Sequence, residues 1–455
     1  ESIDVMDALG SNIRIDSRDG KVLRVLPRLN ESINEEWISD KTRYAIDGLS
    51  KQRLDCPYLK INGKLSRVSW DDAFNYIKEN LKKFSPNQCA AIIGNQADNE
   101  AIFSLRSLFK NIGSNKILKS QSKHKLFFKN RSNYLFNSKI NGLDKCDFLL
   151  LVGANTRLDA AVLNARIRKN YINRDLKIAS ISSQKFDLTF DYDYLGPNPD
   201  ILNKIINKKH YLFDMFKKSN YPMIIIGDEA LTNQSSLGIQ DLCIKLLQHN
   251  NGFKKDWNGY NILHTYASSV GSYDLLGDFS DYETETFDNE LNSGLVKLVY
   301  LLGADDFDYN LKNCLVIYQG HHGDNGAQIA DIILPGSAYT EKDSSFLNVE
   351  GKLQFTERSV FPPGDAKEDW SIIRALSEKI GKKIQFDSLS ELRKIMQKNI
   401  SSIDSFDQEK YNKKPDNFKS DYNFYPLEGV NKSFFMSCPI SRSSSTMAKC
   451  ALNMS

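Results

Sequence analysis

Five short apolar runs in this chain each end in glycine, and four of those glycines are followed within two residues by Asn or Asp. The runs are AAIIGNQ at 90–96, FLLLVGAN at 148–155, MIIIGDE at 223–229, LVYLLGADD at 298–306 and CLVIYQG at 314–320. An unbroken apolar stretch of four to eight residues fits a strand covered on both faces. Helical periodicity lies between the runs, at 100–109, 160–168 and 369–380. Strand, glycine, helix, strand is the order of a βαβ unit, so the pattern predicts an α/β fold with doubly wound parallel sheets. The glycines then line the carboxyl edges of the strands, where open α/β sheets bind ligands.

The first 75 residues follow another pattern. NIRIDSRDGKVLRV at 12–25 alternates around Arg18-Asp19-Gly20 and predicts a β-hairpin. Ser69, with Asp72 three positions on, predicts a helix start. Residues 265–294 are acidic and read as a loop, and 388–423, rich in Lys, Asp and Ser, read as a surface tail with one helix. The expected division is therefore a β-rich region at 1–75, α/β lobes at 76–385, and a polar helix and tail at 386–455.

A net charge of +3 lacks the basic stripe that nucleic acid or an anionic membrane would require. No apolar run approaches the roughly 20 residues of a membrane helix. The seven cysteines, Cys56, Cys89, Cys146, Cys243, Cys314, Cys438 and Cys450, are dispersed with no C-x-x-C, which reads as free thiols rather than a metal framework.

His321 and His322 stand just beyond the fifth run. Adjacent side chains on an extended segment point to opposite faces, so a packing role is expected rather than a shared ion. Gly320, Gly323 and Gly326 recur every three residues, but neither GxGxxG nor GxxxxGK[ST] occurs. No nucleophile elbow is present either. Read from the residues alone, the chain is an α/β protein with ligand-capable sheet edges and no assignable chemistry.

Longer motifs add a resemblance. DGKVLRVLP at 19–27, LSKQRLDCPYLKINGK at 49–64, SWDDAFNYI at 69–77 and the block at 326–381 resemble molybdopterin oxidoreductases. NEEWISDKTRYAIDGL at 34–49, NTRLDAAVLNARIRK at 155–169, WNGYNILHTYAS at 257–268 and ISRSSSTMAKC at 440–450 resemble, end to end, the large iron–sulfur subunits of mitochondrial respiratory complex I.

That resemblance implies two doubly wound parallel-sheet lobes of the molybdopterin oxidoreductase type, possibly interleaved in sequence, and a small β-rich N-terminal region like a degenerate iron–sulfur module. Active relatives bind a [4Fe–4S] cluster through C-x2-C-x3-C and a later Cys. Those places fall here on Asp4, Asp7, Ser11 and Ser39, whose oxygens are poor substitutes for thiolate. The loop Gly320, His321, His322, Gly323 is expected to be a relic of the pterin cleft. No catalytic, cofactor-binding or metal residue is therefore expected on this chain. One [2Fe–2S] and two [4Fe–4S] clusters would sit on an iron–sulfur half, carried by a separate gene product or by a removed segment. Partners would be that half, the NADH-binding flavoprotein and the quinone-module subunits, at the matrix side of the mitochondrial inner membrane. An active molybdopterin enzyme and a small-ligand-binding module are the alternatives.

Overall fold

The computed structural model describes residues 1–400, 414–416, 423–430 and 432–454. An antiparallel sheet opens the chain, made of β1 (Ser2–Ile3), β2 (Asn12–Arg18) and β3 (Lys21–Pro27). The β2–β3 turn is the expected hairpin. Asp19 and Gly20 both have positive φ, the signature of a turn whose twist matches its strands.

Strands β4 (Tyr58–Ile61), β5 (Lys64–Arg67), β6 (Cys89–Ile93) and β7 (Ile117–Leu118) begin a second sheet. The chain then leaves it. A third sheet takes β8 (Phe148–Val152), β9 (Lys177–Ile181), β10 (Asp193–Tyr194) and β11 (Pro222–Ile226). After a small hairpin, β12 (Phe253–Lys254) and β13 (Trp257–Asn258), strand β14 (Tyr260–Ile262) completes it. The chain returns to the second sheet with β15 (Leu298–Leu302), β16 (Leu315–Gly320) and β17 (Ile332–Pro335), and adds the hairpin β18 (Ser344–Leu347) with β19 (Leu353–Thr356).

The larger sheet has the order β5-β4-β17-β16-β15-β6-β7, and the smaller β10-β9-β8-β11-β14. All five apolar runs are parallel central strands, buried along essentially their whole length. Ladders β6–β15–β16 and β9–β8–β11 bury Val and Ile on both faces, the condition that unbroken apolar runs satisfy. The three expected helices form as Asn99–Ile112, Ala161–Arg174 and Asp369–Lys379. Ser69 caps the helix Trp70–Leu81 in a reciprocal box with Asp72.

Three expected segments fold differently. Residues 58–67 leave the N-terminal region, because β4 pairs antiparallel with β17 and hydrogen-bonds onto that edge of the larger sheet. The stretch at 265–294 is helical over Ser269–Leu276 and Thr284–Asn292, with Leu275, Leu276 and Phe287 fully buried. Its Ser, Asp and Gly content masked the apolar face. The expected C-terminal tail packs inward, since Cys438, Ile440 and Met447 join the N-terminal core with Ile3, Val5, Met6 and Ala45. Part of the expected 388–423 tail is the helix Leu389–Asn399, and most of the rest lies outside the described residues.

Candidate functional site

The loop after β1 brings its side chains into a buried polar knot. Asp4 Oδ1 accepts from the Met6 N–H at 2.9 Å and Asp7 Oδ1 from the Leu9 N–H at 2.9 Å, two local turns of the kind Asp favours. The Asp4 N–H donates to the Ser11 carbonyl at 2.8 Å. Ser39 caps the helix Asp40–Tyr44, and its Oγ lies 2.6 Å from Thr42 Oγ1. The Thr42 hydroxyl donates to Asp4 Oδ2 at 2.6 Å. Asp4, Asp7, Ser11 and Ser39 are all at most 3% exposed. Lys41 is buried beside them and stacks over the Phe434 ring, 5.1 Å from its centroid.

Burial raises Asp4 to about 7, and the neighbouring Asp7 charge adds to the rise. Burial also raises Asp7, against the pull of Lys41. Asp7 Oδ2 and Ser11 Oγ have no hydrogen-bond partner among the described residues. An iron–sulfur cluster takes soft thiolate donors. Two carboxylates and two hydroxyls do not fit that requirement, and the thiol of Cys438 lies against Met6 with its Sγ 3.3 Å from the thioether.

The second site is the cleft between the two parallel sheets. In the larger sheet the chain order reverses between β6 and β15, and in the smaller between β8 and β11. At such points helices leave in opposite directions and open a crevice at the carboxyl edge. The glycines allow the edges to close tightly. A Cβ on Gly94 would stand 1.8 Å from the Gly303 carbonyl oxygen, and one on Gly153 2.4 Å from Ala230 N. Between the crevices lies a cavity of about 460 Å³ reaching Gly94, Asn95, Asp305, His124, Asp228 and Lys432. A second, of about 340 Å³, reaches Gly153, Asp159, Asp228, Glu229 and Lys432.

Charge in the cleft is paired across elements. Lys432 binds Asp159 Oδ1 at 2.7 Å, binds Asp228, and reaches Thr265 Oγ1 at 3.0 Å. His124 Nε2 meets Asp228 Oδ1. Burial alone would raise Asp228, but Lys432 and His124 outweigh it and hold the carboxyl well below the usual range. Asp159 moves the other way, raised by burial despite Lys432. On the larger sheet, Arg442 binds Asp306 and Asp324, each at 2.7 Å. Burial, with the Asp324 charge, raises Asp305 to about 7. None of Asp159, Asp228, Lys432 and Arg442 stood out as a site residue in the sequence. The only signals were the acidic residues after the strand-end glycines.

His321 and His322 do not splay apart. Strand β16 ends at Gly320, so the pair lies beyond the pleat, and the two rings meet edge to face with centroids 4.7 Å apart. His322 Nε2 bonds the Gly48 carbonyl at 2.8 Å, and burial, with Arg53 adding, lowers His322 to about 3. Burial also lowers His321, with His322 and Arg53 adding to the effect. Gly320 and Gly326 leave room for one ring, since a Cβ on either would fall 2.4 Å from Tyr318 atoms. Among the described residues no group of three or more His, Cys, Asp or Glu is placed to hold a metal ion.

Three family descriptions match consecutive parts of the chain. Residues 1–47 match the NADH-ubiquinone oxidoreductase NDSU1/NuoG-like 4Fe-4S domain, and residues 53–379 match the molybdopterin oxidoreductases. Residues 401–450 match the C-terminal family of the same NADH-ubiquinone oxidoreductase component. The NADH-ubiquinone oxidoreductase 75 kDa subunit of Reclinomonas americana is 39% identical over 473 residues, covering 99% of this chain and 68% of that protein. The corresponding NADH-quinone oxidoreductase component of Rickettsia felis is 40% identical over 453 residues, covering 99% and 66%. The chain thus spans about two thirds of the length of these relatives. Among solved structures, acetylene hydratase from Pelobacter acetylenicus superimposes with a TM-score of 0.55 at 14% identity, over 84% of this chain and 69% of that one. The formyltransferase/hydrolase complex of Methylorubrum extorquens gives 0.53 at 11%, over 72% and 99%. These two likenesses establish the α/β fold, and the sequence relatives establish more: the chain belongs to the family of the NADH-ubiquinone oxidoreductase 75 kDa subunit and its NuoG-like bacterial counterparts, with a molybdopterin oxidoreductase-like body.

Proposed function

We propose that this chain is a structural, non-catalytic part of the matrix arm of respiratory complex I. In this reading it supports electron transfer from NADH, through flavin and iron–sulfur clusters on other parts of the assembly, to ubiquinone, coupled to proton pumping. Its neighbours are an iron–sulfur half with one [2Fe–2S] and two [4Fe–4S] centres, the NADH-binding flavoprotein and the quinone-module subunits, on the matrix side of the mitochondrial inner membrane. No helix among the described residues is long and apolar enough to cross a membrane.

The observation that carries the reading is the polar knot. Asp4, Asp7, Ser11 and Ser39 stand where active relatives carry thiolates, and three of the four engage an oxygen with Thr42 or with a backbone N–H group. Hard, hydrogen-bonded oxygens hold the loop in place and offer no seat to a sulfide cluster. Rigid lobes without a redox centre serve electron transfer by fixing the position of centres on neighbouring chains. The cavity of about 460 Å³ supports a second reading, a small-ligand-binding module, because it sits at the sheet edges where α/β folds take ligands. Metal analysis of the isolated chain decides the first. Iron and molybdenum far below one per chain are expected, and either metal at one or more per chain overturns it.

A further inference from the structure

The chain's own end crosses the cleft. Residues 423–427 are held against the smaller lobe: the Ser235 hydroxyl donates to the Asn423 carbonyl at 2.6 Å, Asn233 donates to the Pro426 carbonyl at 3.0 Å, and the Leu427 N–H donates to the Pro197 carbonyl at 2.8 Å. Val430 and Lys432 then border both the 460 and the 340 Å³ cavities, so they stand between the two chambers. Further on, Cys438 and Ile440 sink into the N-terminal core, and Ile440 O would lie 2.0 Å from a Cβ on Gly48. Arg442 reaches the larger sheet's carboxyl edge at Asp306 and Asp324. Ser444 and Ser445 close the run on Asp47, the latter with its N–H 3.0 Å from Oδ2.

The chemistry of these contacts is that of a clamp. Each sheet edge presents carboxylates, the buried Asp159 and Asp228 on one, and the half-buried Asp324 with the more exposed Asp306 on the other. One cation of the strap goes to each edge. A buried carboxylate pair is destabilised when its cation is removed, so the strap holds its place by charge as well as by packing. We propose that residues 423–430 and 432–447 are the resident occupant of the cleft, an intramolecular strap that separates its two chambers and locks the lobes to each other and to the N-terminal module.

Hydrogen exchange and inter-lobe distance test this on the full chain. Tyr76 and Tyr211 are exposed positions on the larger and smaller lobes and take spin labels as cysteines. In a Lys432→Met/Arg442→Met background the label–label distance distribution is expected to broaden. Amide exchange at 153–159 and 227–232 is expected to quicken at least tenfold, while the helix Trp70–Leu81 keeps its native rate. Should that background fail to fold at pH 7, Asp159→Asn and Asp228→Asn added to Lys432→Met remove the stranded charges with the cation and give the same reading. An unchanged distance distribution with unchanged exchange overturns the clamp. The clamp stands whether or not the chain binds metal, and the iron and molybdenum content bears on the scaffold reading alone.

Discussion

Thr42 donates its hydroxyl to Asp4 Oδ2 at 2.6 Å, joining the loop after β1 to the helix that Ser39 caps. Two segments 38 residues apart in sequence are thereby held as one buried polar unit. A carboxyl in that setting stores a dependence on pH. Asp4 lies at about 7 in the fold against 3.8 when free, chiefly through burial. Between those values the folded chain keeps a proton that the unfolded chain has released. Stability from this group is therefore full below about pH 4 and lost as pH rises through about 7. Asp4→Asn removes that loss. Urea unfolding at pH 5 and pH 8 is expected to show the variant gaining on the native chain by on the order of 2 kcal/mol at the higher pH. Parallel pH profiles would reject the assignment.

Lys342 bridges Asp98 Oδ2 at 2.6 Å and Asp369 Oδ2 at 2.5 Å, with all three side chains under 10% exposed. Asp98 also caps the helix Asn99–Ile112, and Asp369 accepts from Gln319 at 2.8 Å, so this ammonium joins two helix starts to strand β16. Lys342→Met leaves two buried carboxylates facing each other and is expected to cost about 3–5 kcal/mol at neutral pH. Adding Asp98→Asn and Asp369→Asn keeps the cap and removes both charges, and should recover most of the loss. A triple variant no more stable than Lys342→Met would show that packing, not charge, sets the cost.

Much of this architecture was legible because parallel strands bury both faces and so write themselves as unbroken apolar runs. All five runs are strands, and Gly153, Gly227 and Gly303 sit at the crossings that their position after a run foretold. Asp4, Asp7 and Ser39 were singled out only through spacing borrowed from relatives, and nothing local in the sequence marks them as members of one buried polar cluster. The cleft pairs were not legible. Lys432 meets Asp159 across 273 positions of sequence, from a polar, Lys-rich stretch where any lysine looks like any other. The helix Ser269–Leu276 was hidden for the same reason, because tertiary burial rather than composition makes SVGSYDLL helical.

Gly94 and Gly303 face each other at the switch point of the larger sheet and should respond unequally to a methyl group. A Cβ on Gly94 would stand 1.8 Å from the Gly303 carbonyl oxygen, a backbone atom of a residue whose N–H donates to the Gln319 carbonyl at 2.7 Å. Gly303 has φ +58° but open space around the added atom. Gly94→Ala is therefore expected to cost about 3 kcal/mol through overpacking. Gly303→Ala should cost about 1 kcal/mol, the strain of a left-handed alanine. Thermal unfolding of the two variants checks the order, and a larger loss at Gly303 would contradict this geometry.

If oxygen in place of sulfur is all that keeps a cluster out, restoring sulfur should restore binding. Asp4→Cys, Asp7→Cys, Ser11→Cys and Ser39→Cys together would place four thiolates around the volume now held by the Thr42 hydrogen bonds, with buried Lys41 beside them to offset the negative charge of a thiolate-bound cluster. Anaerobic incubation with ferrous iron and sulfide is expected to give a broad visible charge-transfer absorption and about four iron per chain. Omitting Ser39→Cys should lower that loading, because the fourth ligand comes from the helix cap rather than the loop. A quadruple variant that folds yet retains less than one iron per chain would show that the backbone around Asp4 and Ser39, and not the donor atoms alone, has moved away from a cluster-binding shape.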